Sequence, residues 1–203
     1  MSFLPIDRVH GDHLVDRKAV ASLPGGVVLA SPSAIIAASG TPINSVTYRM
    51  WLGRPVAEVA TAEGARLFDA RTGILLPAPT AAQVQAVART AWRGEGRPRA
   101  TVELIKRASA EYRGPLPAWR VTFTDPDSTR VFVTAATGRI VAVRTGTWRL
   151  YDFFWGLHIM DLSEREDTSH PLLILFAALS LAGALIGCVL MFRRRRARPS
   201  ADR

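Results

Sequence analysis

From Pro171 to Phe192 the chain reads PLLILFAALSLAGALIGCVLMF, twenty-two residues without a charge, and Arg193–Arg196 follows at once. A helix rises ~1.5 Å per residue, so such a run spans the ~30 Å hydrocarbon core of a bilayer. A core helix of a globular protein would normally keep a polar face, and this segment has none. Basic residues beside a span stay on the cytoplasmic side, so Arg193, Arg194, Arg195 and Arg196 mark that end. The expectation is a single C-terminal transmembrane helix, residues 170–192, with a basic cytoplasmic tail, residues 193–203.

That orientation puts the bulk of the chain outside the cytoplasm, in the periplasm of a bacterium whose inner membrane holds the span. Residues 1–18 contain no apolar run, so they form neither a signal peptide nor a first span. Translocating a large N-terminal domain needs such a signal. A hydrophobic segment upstream of residues 1–26 is therefore expected. The alternative, a cytoplasmic domain, conflicts with the arginine block.

The remaining length suits one domain or two small halves sharing a core. A net charge of +9 raises the question of nucleic acid. Much of the excess lies in the tail, where six arginines face only Asp202, and elsewhere arginines are interspersed with acids. Attraction to anionic headgroups accounts for the block, and nucleic acid is not an expected partner. The lone cysteine, Cys188, sits within the span, which excludes an intrachain disulfide and any Cys-x-x-Cys pair. Gly183 and Gly187 have the spacing that lets transmembrane helices approach closely, so self-association through them is a further expectation, and with it the alternative of a structural membrane-complex subunit.

Two stretches share one pattern. Arg54–Leu76 and Ala118–Val143 each hold a strand, a polar turn, a second strand, a Thr-Gly pair and a third apolar run. In the second, Trp119, Val121 and Phe123 alternate with Arg120, Thr122 and Thr124, as a half-buried strand requires. Asp125-Pro126-Asp127-Ser128 reads as a turn. Gly73 and Gly138 are the positive-φ positions of the Thr-Gly turns. Helices are expected over Ser33–Ser39, over Pro79–Arg93 with Thr80 as N-cap, and over Thr101–Tyr112. Ile43–Trp51 reads as a strand. The fold class is α+β: residues 27–93 and 94–147 form two halves, each a helix on a small antiparallel sheet.

Helix, strand, turn, strand, Thr-Gly turn and third strand, followed by Trp148–His158 and a span, resemble the PepSY module of PepSY-associated transmembrane proteins. The resemblance covers about residues 30–192. It implies two PepSY-like halves and a binding or regulatory role, such as restraining a peptidase or serving an envelope complex. Larger relatives with several spans imply a different role, a haem b-binding subunit of a ferric-siderophore reductase-type, iron-linked system.

Trp148, Tyr151, Phe153, Phe154 and Trp155 crowd just ahead of the span, and tryptophan and tyrosine favour the headgroup region. Residues 148–169 are thus an interfacial aromatic helix and an acidic linker, with Trp148, Tyr151, Phe154 and Trp155 as anchors. His158 is the candidate haem ligand, with His170 second. One span offers no facing histidine pair, so haem would need a dimer or an upstream helix. His10 and His13, with Asp7, Asp12 and Asp16 nearby, form a weak metal motif interrupted by Gly11. No Ser-His-Asp order, HExxH, P-loop or GxGxxG occurs in a supporting context. No catalytic or metal residue is expected.

Overall fold

The computed structural model of the protein describes residues 5–17, 22–158 and 171–196. Two units emerge, one running to Arg149 and one starting at Leu150. The first is α+β, with two antiparallel meanders among the described residues, one of three strands and one of four.

The first sheet comprises β1 (Ile43–Trp51), β2 (Arg54–Thr61) and β3 (Gly64–Asp69). A short helix α1 (Ile6–His10) and helix α2 (Pro32–Ser39) precede it. Ser31 accepts a hydrogen bond from the Ala34 amide at 3.2 Å and Pro32 opens α2, so the helix start is encoded locally. Strand alternation then divides the sheet. Ala57, Val59 and Phe68 pack on Ile35 of α2, whereas Trp51, Val56 and Leu67 face the opposite way.

Helix α3 (Ala81–Ala91) fills the space between the sheets. Its start is a capping box: the Gln83 amide donates to Thr80 Oγ1 at 3.4 Å, and the Thr80 amide donates to Gln83 Oε1 at 2.9 Å. Val84, Ala88 and Ala91 are buried against Val121, Phe123, Val131, Val133 and Val143 of the second sheet. Val87 touches the Trp51 cluster of the first. Thus α3, placed at the end of the first half by the sequence, contributes chiefly to the core of the second. Thr80→Ala should cost about 1 kcal/mol of stability, the usual value of a lost N-cap, read from chemical denaturation of the chain.

The second sheet holds β4 (Ala100–Ile105), β5 (Ala118–Phe123), β6 (Arg130–Thr134) and β7 (Ile140–Arg144). Here one expectation fails: Thr101–Tyr112 is not a helix. Val102 pairs with Val121 and reaches the α3 side of the sheet, while Ile105 packs on the other side with Tyr112 and Phe132. Residues three apart share a helix face but point to opposite faces of a strand, and both faces of this sheet needed apolar cover. β-branched Thr101, Val102 and Ile105 suit the extended form. Beyond Ile105 the chain folds back, and Tyr112 stacks on Phe132 with ring centroids 4.8 Å apart.

Residues 5–17 belong to this unit too. Val15 is fully buried in the second core, and Asp16 N donates to Ala91 O at 2.8 Å while Arg93 N donates to Leu14 O at 2.7 Å. A Cβ on Gly11, whose φ is 74°, would stand 2.8 Å from Val143 Cγ1. The segment that the sequence sets apart as residues 1–26 therefore helps close the core. A single valine without periodic neighbours gives no such warning.

Helix α4 (Gly146–His158) starts on the second sheet. Thr145 Oγ1 accepts from the Trp148 amide at 3.1 Å, Arg144 lies over the Trp148 ring at 4.1 Å, and Arg149 donates to Asp127 O at 2.9 Å. From Leu150 onward the chain is the second unit. There Leu150, Tyr151, Phe153, Phe154, Trp155 and Leu157 are all exposed. Helix α5 (Pro171–Arg196) includes Leu173–Arg193, with mean hydropathy 2.6 and no buried residue. This 21-residue stretch, apolar up to Arg193, is ~32 Å long, enough to cross a bilayer as a single pass.

Candidate functional site

The two halves of the first unit meet at a charged seam. Arg49 and Trp51 alternate on β1 with the same facing as Val56 and Glu58 on β2, through the register Arg49↔Val56 and Thr47↔Glu58. The Arg49 Nε donates to Glu58 Oε2 at 2.9 Å, and its Nη2 donates to the Thr137 carbonyl of the other half at 2.6 Å. Both side chains are largely buried, at 10% and 15% exposure. Burial pushes the Arg49 guanidinium below its ordinary pKa, the Glu58 charge and hydrogen bond oppose that, and Arg139 adds to the lowering. An arginine stays protonated throughout the accessible range.

Glu58 serves a second cation, since Arg139 Nε lies 3.4 Å from the same Oε2. Two guanidiniums share one carboxylate, so the seam keeps an excess of about one positive charge. Beside it, the Trp51 ring sits against the Thr137-Gly138 turn. A Cβ at Gly138 would stand 2.7 Å from Trp51 Nε1, so only glycine permits this contact.

A cleft of about 410 Å³ opens along this seam. Residues 49–53 form one wall, Val87, Thr90 and Ala91 of α3 another, and residues 138–140 a third; Asp16 and Arg17 stand at its edge. The hairpin tip is unusual. Leu52 has φ 48° and Gly53 φ 80°, so a leucine occupies the left-handed position that a two-residue hairpin ordinarily gives to asparagine or aspartate. Leu52 is also exposed. Volume, apolar walls and convergent cations match the general character of small binding clefts.

The residues singled out from the sequence lie elsewhere. Gly73 and Gly138 have φ of 73° and 65°, and each amide closes its turn onto a strand-end carbonyl, Asp69 O and Thr134 O, both at 2.9 Å. At the first turn burial raises the Asp69 pKa, but hydrogen bonds from the Thr72 and Arg71 amides and the charge of Arg54 outweigh it, and the net shift is downward. Trp148 is held by Arg144 in the first unit, whereas Tyr151, Phe154 and Trp155 are exposed on α4. His158 is exposed at the end of α4, its ring 6.1 Å from that of Trp155. His170 and the acidic linker, residues 161–167, lie outside the described residues.

Arg193 ends the apolar stretch of α5, and Arg194, Arg195 and Arg196 continue the helix. An added Cβ at Gly183 or Gly187 meets nothing within 4 Å, and Cys188 is exposed. His10 and His13 are exposed, and among the described residues no three His, Cys, Asp or Glu side chains gather as a metal group. The sequence reading missed Arg49 and Glu58. The signal was present: each is a charge at an inward strand position, in phase with Trp51 and Val56 respectively. No family model, curated protein or solved structure matches this chain.

Proposed function

We propose that this chain is a non-catalytic, PepSY-like binding module, tethered to the bacterial inner membrane and facing the periplasm, that restrains a peptidase or serves an envelope complex. The observation that carries the tether is α5, an apolar helix of spanning length with no buried residue in its apolar window, ending in an arginine block. The exposed aromatics of α4 support an interfacial role, because a water-facing helix with six bare apolar side chains gains by lying at a headgroup boundary. The PepSY-like reading draws support from element order. Each sheet follows a helix, runs as a meander and reaches a Thr-Gly turn before a last apolar segment, Leu75 in the first half and β7 in the second. That shared order is also the basis for reading the halves as an internal repeat.

Binding, in this reading, uses a free strand edge, where an extended peptide gains main-chain hydrogen bonds. Orientation is tested by site-directed labelling in a Cys188→Ala background. Glu63→Cys, on an exposed turn, should react with a membrane-impermeant maleimide in intact spheroplasts, and Arg203→Cys only after lysis. The reverse pattern would sink the periplasmic assignment. A reduced-minus-oxidised spectrum separates the haem b alternative: this reading predicts a flat trace, and a Soret band lost in His158→Ala would replace it with a redox subunit.

A further inference from the structure

Among the described residues β1 is the longest strand, with nine residues, and lies at the edge of its sheet with β2 as its one strand neighbour. In a two-residue hairpin the closing pair, here Trp51 and Arg54, exchanges hydrogen bonds. Counting back by twos, Arg49 and Thr47 also turn their N–H and C=O groups to β2, so Val46, Tyr48 and Met50 direct theirs away from it. Among the described residues no backbone hydrogen bond reaches β1 from outside that pair. Natural edge strands are usually blunted by proline, outward charge or brevity. β1 has no proline, and its one charged residue, Arg49, is turned inward.

The cleft begins where this edge ends. Five consecutive residues, Arg49 to Gly53, line it. Strand side chains alternate in direction, so a consecutive run lines a cavity only where that cavity abuts the strand's edge and tip. A chain added along β1 is thereby led toward the walls formed by Val87, Ala91 and Ile140. At that point stands the excess positive charge left by Arg49 and Arg139 sharing Glu58, with Arg139 half exposed. Arg17 and Asp16 at the same mouth are each already paired, with Asp12 at 2.6 Å and Arg93 at 3.6 Å, and leave that excess unchanged. The strained Leu52 supplies an apolar lip, and strain of this kind persists where a side chain is kept for its position.

We propose that the cleft receives the C-terminal residue of an extended peptide that adds parallel to β1, its apolar last side chain between Leu52 and Ile140 and its α-carboxylate on Arg139. This assignment rests on the binding-module reading and names the ligand class of that same module. A carboxylate suits the site because its charge balances the shared-carboxylate deficit, and guanidinium–carboxylate pairs are strong and directional. An internal peptide segment without an acidic side chain would bring no such charge.

The test uses the full chain in nanodiscs, with empty nanodiscs as control, and fluorescence anisotropy of an N-terminally labelled octapeptide. The peptide alternates threonine and valine and ends in leucine, either as the free acid or as the amide. The acid should bind about tenfold or more tightly than the amide. Arg139→Gln should abolish that preference by weakening the acid alone. Leu52→Asn, which suits the left-handed turn better, should raise the unfolding midpoint while weakening both peptides.

Equal binding of acid and amide by the unmodified chain would overturn the carboxylate site and leave the peptide-binding module standing. A preference that survives Arg139→Gln, or unchanged affinities in Leu52→Asn, would overturn the roles assigned to those residues. Binding of neither peptide by folded chain would sink both this proposal and the peptide-binding reading.

Discussion

Glu58→Ala should destabilise the chain by about 3–5 kcal/mol, the range for removing one partner from a buried ion pair. The loss is large because Arg49 remains buried, still charged, and tied to the Thr137 carbonyl. The protein cannot relieve this by deprotonation, and Arg139, its neighbour on the same carboxylate, adds repulsion once Glu58 is gone. In urea, with a slope of about 2 kcal/mol per molar, the midpoint should fall by about 1.5–2.5 M, followed by tryptophan emission. Replacing both charges, Arg49→Met with Glu58→Leu, should recover most of that loss, since an apolar pair of similar volume costs little in the same place. A Glu58→Ala loss below about 1 kcal/mol would mean the pair behaves as a surface ion pair and does not join the halves.

Two glycines in like turns should respond unequally to alanine. At Gly73 a Cβ would meet Ile35 Cδ1 at 3.7 Å, an ordinary contact, so Gly73→Ala should cost only the left-handed backbone, about 1–2 kcal/mol. At Gly138 the same backbone cost applies, and the Cβ would also press on the Trp51 ring at 2.7 Å. Trp51 is wedged among Val56, Leu67 and Val87, so it cannot retreat cheaply, and overpacking adds about 1–3 kcal/mol. Gly138→Ala should therefore cost about 2–5 kcal/mol by denaturation. Combining it with Trp51→Leu should show the coupling directly: the overpacking part disappears and the backbone part stays. Additive losses in that cycle would show that Trp51 and Gly138 do not bear on each other.

These two contacts join the halves alongside the packing of α3, and the partner in each was not legible in the sequence. A Thr-Gly turn announces a positive φ at its glycine, and that is a local property of four residues. What lies on the glycine comes from a strand nearly ninety positions away, in the other half. Arg49 and Glu58 are local oddities as well, charges standing in apolar phase, but their partners at Thr137 and Arg139 depend on how two sheets are set against α3. The missed strand β4 has the same cause. Val102 and Ile105 fit a helical stripe and a strand alike, and only a sheet with both faces awaiting cover decides between them.

By itself, the sequence determined the elements whose physics is local. These are the apolar run of α5, the capped helices α2 and α3, the alternating strands β1, β5 and β6, and the exposed aromatics of α4. Each is specified by neighbours within a turn or two, through periodicity, capping or hydropathy. The tertiary structure alone decided that α3 lies between the sheets, that Val15 plugs the second core, and that Glu58 is shared by two arginines beside an open cleft. Those features arise from contacts between residues far apart along the chain. Their energies depend on desolvation and packing, and both exist only once the sheets have met.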